Sequence, residues 1–478
     1  MLLKHISKNN LKLGTLGNNL HKYLSSHGHT GLDVRLLLRR SNHRFCVIGS
    51  GPAGFYAAQH LLKLKPSSRV DIYEKLPVPF GLVRYGVAPD HPEVKNVTHT
   101  FTTVLKNPNV AFIGNFEAGK DITLGKLKES YHAILLAYGA SEDRKLNIPG
   151  EKEHVVSARD FVGWYNGLPA NRDLAINLET KKRAIIIGNG NVTLDIARIL
   201  LSPIELLEKT DISPYALDAL KKSTISEVVI CGRRGPLQVS FTIKELRELV
   251  NMKSARAVSE IRDFDGINEQ LLKDFPRPKK RLTELLLKSA QASDTTSSGS
   301  YSKSWFLKFM RSPKMVERHG DKLHLTLEIN EFDPANKERV VGTGKTEVNI
   351  CDIVFRSVGY KGRRIFDELP FDENTGIIPN VGGKIENGIY CVGWAGQGPR
   401  GVILSTMQNS FDVAKTIIQD MESVPHSDKS GFETIKNLVT DKRLTCYTDF
   451  VKIADFEEKH NRKVTTIDEM FKIINGKL

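Results

Sequence analysis

The stretch Phe45-Cys46-Val47-Ile48-Gly49-Ser50-Gly51-Pro52-Ala53-Gly54 constrains this chain most. Phe45 to Ile48 read as a short buried strand, Gly49-x-Gly51-x-x-Gly54 as the tight turn after it, and Phe55 to Lys65 as a helix with one apolar face. In that order the first glycine makes the turn, the second lets backbone approach a pyrophosphate, and the third lets helix pack on strand. An anion then sits on the helix N-terminus, where unpaired N–H groups and the dipole favour it. A second strand, Arg69 to Glu74, ends in an acid 20 residues past Gly54, where a carboxylate accepts hydrogen bonds from ribose hydroxyls. A dinucleotide is the ligand this unit predicts.

A chain of 478 residues is too long for one core and suits two or three domains. No apolar run approaches the length of a transmembrane helix. Cys46, Cys231, Cys351, Cys391 and Cys446 are scattered without a CxxC, which predicts buried free thiols rather than a disulfide framework or a metal cluster. The net charge of +14 is unevenly spread, because residues 1–44 hold eight Lys/Arg and one acid, Asp33. That stretch, rich in Leu, Ser, Arg and His, fits an amphipathic mitochondrial presequence better than a nucleic-acid arm.

Between Lys75 and Pro92 the prolines Pro77, Pro79, Pro89 and Pro92 and the glycines Gly81 and Gly86 predict an ordered loop rather than a strand or helix. Asp90 and His91 lie in it, with tuning of a cofactor pocket and structuring of the loop both open to them. Helix is expected from Asn96 to Leu105, strand at 110–116 and 133–140, and a hinge at the small residues ending that last strand. A second unit follows: Arg183 to Ile187, the turn Gly188-Asn189-Gly190, and a helix from Val192 to Leu201, with Thr193 where a third glycine would stand. Its next strand, Glu227 to Cys231, ends in Arg233-Arg234 instead of an acid. Two guanidinium groups clasp a 2′-phosphate that a carboxylate would repel, so this unit reads as NADP(H)-binding. FAD in the first unit and NADPH in the second is the economical assignment. The polar run from Ser289 to Ser304 reads as a mobile surface loop. Gly388 to Ile403 reads as a strand and a Gly-rich turn leading into a helix through Met421, whose N-terminus would favour negative charge on a reduced flavin, with Trp394 packing on the ring or in the core.

The segments PFGLVRYGVAPDHPEVKNV (79–97), GNGNVTLDIARILL (188–201), CGRRGPLQVSFTIKELREL (231–249), PRPKKRLTELLLK (276–288) and GWAGQGPRGVI (393–403) resemble the adrenodoxin reductase family of mitochondrial NADPH:ferredoxin oxidoreductases, in consecutive order over roughly 45–420. The resemblance implies an α/β fold of two Rossmann-like three-layer domains of glutathione-reductase type, the NADP domain inserted in the FAD domain. The divisions would be a presequence at 1–44, FAD domain at 45–145, NADPH domain at 146–356, and the rest of the FAD domain with a C-terminal extension at 357–478.

It implies FAD contacts at Ala53, Glu74, Leu82, Phe116, Trp394, Gly401, Val402 and Ile403, and NADPH contacts at Asn189, Gly190, Asn191, Val192, Arg233, Arg234, Glu245 and Gly401. It further implies an acidic [2Fe–2S] ferredoxin docking near Arg247, Arg277 and Arg281, within a basic set that includes Lys279 and Lys280. No nucleophile, general acid or metal ligand is nominated, since the cofactors carry the chemistry. The expected setting is the mitochondrial matrix or the matrix face of the inner membrane, with electrons serving Fe–S cluster assembly, haem synthesis or hydroxylation. A flavin monooxygenase and a non-catalytic flavin-binding redox protein are the alternatives that the nucleotide motifs alone leave standing.

Overall fold

The computed structural model describes residues 43–259, 261–295, 301–422 and 427–478. The expected presequence lies almost wholly outside them. Strand β1 (Arg44–Ile48) runs into helix α1 (Pro52–Leu64), whose proline near the start gives up an N–H that has no helical partner anyway. Strands β2 (Arg69–Tyr73), β3 (Val110–Ile113) and β4 (Ala133–Leu136) complete the first pass. The Pro/Gly loop between β2 and β3 is not purely a loop. Leu82–Tyr85 and Pro92–Lys95 each make one helical turn, the first held by Tyr85 N–H donating to the Gly81 carbonyl.

The chain then leaves through Glu142–Asp143 and builds a second sheet from β5 (Val155–Ser157), β6 (Arg183–Ile187), helix α2 (Asn191–Leu201), β7 (Glu227–Cys231), helix α3 (Ile243–Val250), β8 (Ala255–Ser259), helix α4 (Arg277–Thr295) and β9 (Lys303–Lys308). Three antiparallel strands follow, β10 (Arg311–His319), β11 (Lys322–Asp333) and β12 (Asn336–Cys351), before β13 (Ile353–Arg356) rejoins the second sheet. Tyr360–Lys361 pairs antiparallel with Glu142–Asp143, so the outgoing and returning chain cross at one ribbon. Strands β14 (Lys384–Glu386) and β15 (Ile389–Cys391) and helix α5 (Ile403–Glu422) rebuild the first layer, and helices α6 (Tyr447–His460) and α7 (Ile467–Ile474) end the chain.

The first sheet has the order β14-β15-β4-β1-β2-β3, parallel except for β14 against β15. Ile389 aligns with Ile134, so a strand from far along the chain completes the sheet begun at Arg44. The second sheet, β5-β13-β6-β7-β9-β8, is parallel throughout. Parallel sheets need both faces covered. Helices including α2 bury one face of the second sheet, with Leu194, Ile196 and Leu200 against Ala184, Ile186 and Ile230. The antiparallel strands bury the other, with Leu323, Leu325 and Leu327 against Ile185, Ile187 and Val229. Of the mobile loop expected at 289–304, the two ends are corrected and 296–300 lie outside the described residues: helix α4 extends through Ser289 to Thr295, Ser289 and Ala290 are buried, and β9 starts at Lys303.

The C-terminal segment is packed rather than appended. Thr445 and Gly114 exchange backbone hydrogen bonds of 2.9 and 3.0 Å, and Phe450 meets Phe80 edge to face. Lys463, buried, donates to the Arg84 carbonyl and to Asp211 across the domain boundary, and Arg172 donates to Thr465. Burial draws the Lys463 ammonium down to about 8, with Asp211 opposing. An unfolded lysine titrates near ~10.4, so between about pH 8 and 10 the unfolded chain binds more protons and this group makes the fold more stable as pH rises. Lys463→Met therefore removes part of that rise. Denaturant midpoints at pH 7.5 and 9.5 test it, and an identical pH response in both proteins counts against it.

Candidate functional site

At the first turn, Gly49 sits with its α-carbon against the Ala137 carbonyl, where an added Cβ would come within 2.5 Å. At Gly54 the Cβ would stand 2.1 Å from the Gly49 carbonyl oxygen, so helix and turn meet in contact. Gly51 differs, because a Cβ there meets open space. Beyond β2, Glu74 is nearly buried, its carboxylate accepting from the Ser50 N–H (3.1 Å), the Ser50 hydroxyl (2.7 Å) and the Leu76 N–H (3.1 Å). The acid thus braces the Gly-rich turn while lining a cavity together with Phe116, Tyr138 and Arg363.

The remaining first-site residues come from distant stretches. Ala53 lies against Gly393, whose Cβ would come 2.7 Å from that of Ala53, and the Ala53 carbonyl accepts from Ser410 on α5. Gly81 packs on Gly51 and places Leu82 at the start of its turn, 40% exposed despite being apolar. Trp394 is half-buried beside Tyr360, ring centroids 5.9 Å apart. Gly401 takes a φ of +80°, and Val402 is exposed at the entry to α5.

The second turn repeats the first. A Cβ on Gly188 would lie 2.0 Å from the Ser357 carbonyl oxygen, and Gly190 faces open space. Thr193 is fully buried at the third position. Asn189 packs against Gly232 with its carboxamide oxygen buried and unpartnered, and Asn191 accepts from the Thr242 N–H, which ties the turn to the start of α3. Arg233 is exposed and Arg234 half-exposed, and among the described residues neither guanidinium has an ion-pair partner. Charge that local chemistry leaves unneutralised suits an anionic ligand.

Between the two turns lies a charged cluster. Arg198 on α2 is buried and bonds Asp90 of the loop after β2 through Nε and through Nη2 at 3.1 Å, and also Asp195 at 2.8 Å. Glu245 and Glu248 of α3 approach the same guanidinium at 3.6 and 3.7 Å, and His91 Nε2 lies 2.6 Å from Glu248. Burial and the nearby Asp195 push the Glu245 carboxyl up, whereas for Asp90 the hydrogen bonds from Arg198 outweigh burial and hold it down. Of the two roles open to Asp90 and His91, structuring is therefore visible: they fasten the loop to the second domain.

The family described as pyridine nucleotide-disulphide oxidoreductase matches residues 43–230. The mitochondrial NADPH:adrenodoxin oxidoreductase of Homo sapiens is 46% identical over 457 residues, covering 90% of this chain and 92% of its own. That of Drosophila melanogaster is 42% identical over 450 residues, covering 90% and 93%. The chain belongs to the NADPH:adrenodoxin oxidoreductase family. A solved structure, Mycobacterium tuberculosis FprA in complex with NADPH, matches with a TM-score of 0.84 at 35% identity, covering 91% of this chain and 99% of that one. Two Rossmann-like domains, as the sequence implies for this family, are what the sheets form.

Within that fold, Glu74 and Phe116 meet in one cavity, Ala53 meets the Gly393–Trp394 turn, and Asn189, Asn191 and Glu245 gather about α3. The sequence reading missed Arg363, Tyr138 and Arg198. The first two belong to no motif, but Arg198 carries a signal, a lone charge inside the apolar run IARILL. All five cysteines are free and four are buried, with burial pushing Cys231, Cys351 and Cys391 up to about 12. The turn geometry predicts that Gly54→Ala destabilises the protein by about 1–3 kcal/mol through overpacking, whereas Gly51→Ala leaves the melting temperature of the cofactor-free protein unchanged. Equal melting temperatures for the two variants would refute it.

Proposed function

We propose that this protein is a mitochondrial flavoprotein that passes electrons from NADPH to a [2Fe–2S] ferredoxin, with FAD at the first turn and NADPH at the second. The observation that carries the reading is the pair of open turns with opposite ends, Gly51 with the carboxylate of Glu74 and Gly190 with the free guanidinium groups of Arg233 and Arg234. FAD, when bound, supplies the chemistry of taking a hydride from NADPH and giving up its electrons singly. The two cradles have the shape and donor sets for these groups: open backbone for a pyrophosphate, an acid for a ribose, and arginines for a 2′-phosphate.

In this reading Glu74, fixed by Ser50 and Leu76, turns its remaining acceptor capacity to the FAD ribose, with Phe116 as an apolar wall. Ala53, Leu82, Trp394 and Gly401-Val402-Ile403 border the flavin end, where the N-terminus of α5 favours negative charge. Asn189, Gly190, Asn191 and Val192 hold the NADPH pyrophosphate at the start of α2, and Glu245 and Gly401 lie along the path towards the nicotinamide. Residues 45–145 and 357–478 form the FAD domain and 146–356 the inserted NADPH domain. No helix among the described residues is long and apolar enough to cross a membrane.

Ferredoxins of this class are acidic, so the docking face is basic. Arg247 on α3 and Arg277 and Arg281 on α4 are exposed on two helices that pack together, and among the described residues none is spent on an ion pair. Arg247→Glu is expected to slow ferredoxin reduction about tenfold at low salt while NADPH oxidation by a small dye is preserved. A parallel fall in both activities would remove the docking role. Arg233→Ala is expected to lower the preference for NADPH over NADH about tenfold or more, read as the ratio of kcat/KM values. An unchanged ratio would remove the 2′-phosphate assignment.

A further inference from the structure

The strands β10 to β12 do more than cover the second sheet, because their far end reaches the Arg233–Arg234 loop. Asn330 of β11 donates to the Arg233 carbonyl at 2.7 Å and to the Ser312 hydroxyl at 2.8 Å. Met310 N–H donates to the Arg234 carbonyl and Arg311 N–H to the Gly232 carbonyl. The register between β11 and β12 shifts between Glu328 and Asn330 and again between Phe332 and Asp333, so Asn330 to Phe332 pair with Gly342 to Val340 in a register offset from the rest of the ladder.

Side chains two apart on a strand share a face, and Phe332 therefore follows Asn330 towards the arginine loop. Its ring arrives at Gly235, the residue after the pair, with Cζ 3.3 Å and Cε2 3.6 Å from where a Cβ on that glycine would stand. Phe332 is 38% exposed, although Leu323, Leu325 and Leu327 earlier on the same strand are buried. A polar group converges there as well. The Gln238 carboxamide oxygen lies 3.3 Å from the same point, buried and without a hydrogen-bond partner. An exposed aromatic side chain and an unused acceptor on the loop that carries Arg233 and Arg234 match an adenine, which offers a flat π-surface and an exocyclic amine donor.

We propose that Phe332 is an affinity-determining wall of the coenzyme site, stacking on the adenine of NADPH, with Gln238 available to its amine. The proposal rests on the reading of Arg233 and Arg234 as the 2′-phosphate site. It assigns the antiparallel strands a part in coenzyme affinity besides covering the sheet. Because the adenine is common to NADPH and NADH, Phe332 governs affinity for both alike, whereas the arginines govern the choice between them.

The test uses the FAD-loaded enzyme and its variants Phe332→Ala and Phe332→Tyr. Stacking on an aromatic side chain is worth about tenfold per base by alanine substitution. Phe332→Ala is expected to raise KM for NADPH and for NADH by the same factor, about tenfold, and to weaken competitive inhibition by 2′,5′-ADP to a similar extent. The loss falls in KM rather than kcat, and Phe332→Tyr restores wild-type affinity. Unchanged inhibition by 2′,5′-ADP in Phe332→Ala would overturn the proposal, as would a loss that Phe332→Tyr fails to restore. Failure of the arginine reading is separately visible, since it leaves the NADPH-to-NADH preference of Arg233→Ala at the wild-type value whatever Phe332→Ala does.

Discussion

A buried guanidinium holds the two halves of this molecule in register. Arg198 belongs to the helix that follows the second nucleotide turn, and its partner Asp90 belongs to the loop after β2 of the first unit. Hydride transfer demands that donor and acceptor atoms be held close and aligned, so the relative placement of two nucleotide domains bears directly on such a transfer. The charge is costly to bury alone and is stable only because Asp90 and Asp195 bond it while Glu245 and Glu248 stand near. Lys244 with Glu93, and Lys95 and Lys463 with Asp211, extend the same boundary with further pairs. The C-terminal segment contributes Lys463 and Thr465 to this boundary, and its two helices pack in the core of the first domain.

The rest of the site follows from how backbone is presented. Each nucleotide turn is closed where chain must pack on chain, at Gly49, Gly54 and Gly188, and open where a phosphate must approach, at Gly51 and Gly190. The two turns share a geometry, and the strands beyond them end in opposite charge, Glu74 after the first and Arg233-Arg234 after the second. All five cysteines are free, and burial pushes the thiols of Cys231, Cys351 and Cys391 up.

Much of this was legible in the chain because the informative residues sit within local motifs. Gly49 to Glu74 and Gly188 to Arg234 each encode strand, turn, helix and ribose end in one continuous stretch. The antiparallel strands from Arg311 to Cys351 went unread, since their role depends on covering a sheet whose strands lie mostly earlier in the sequence. The run from Ser289 looked like a loop by composition, yet Ser289 and Ala290 are buried and hold the helix in place. Pairings such as Asp211 with Lys463 and Arg363 with Glu117 join residues some 250 positions apart and leave no local trace.

The central claim is a relay in which NADPH is the donor and a ferredoxin the obligatory exit. The most direct measurement is turnover of the purified, FAD-loaded protein with NADPH or NADH, following cytochrome c reduction with and without an added [2Fe–2S] ferredoxin. The account predicts rapid reduction with NADPH only when ferredoxin is present, and kcat/KM at least about tenfold lower with NADH. Cytochrome c reduction independent of ferredoxin, or equal turnover with NADH, would contradict it.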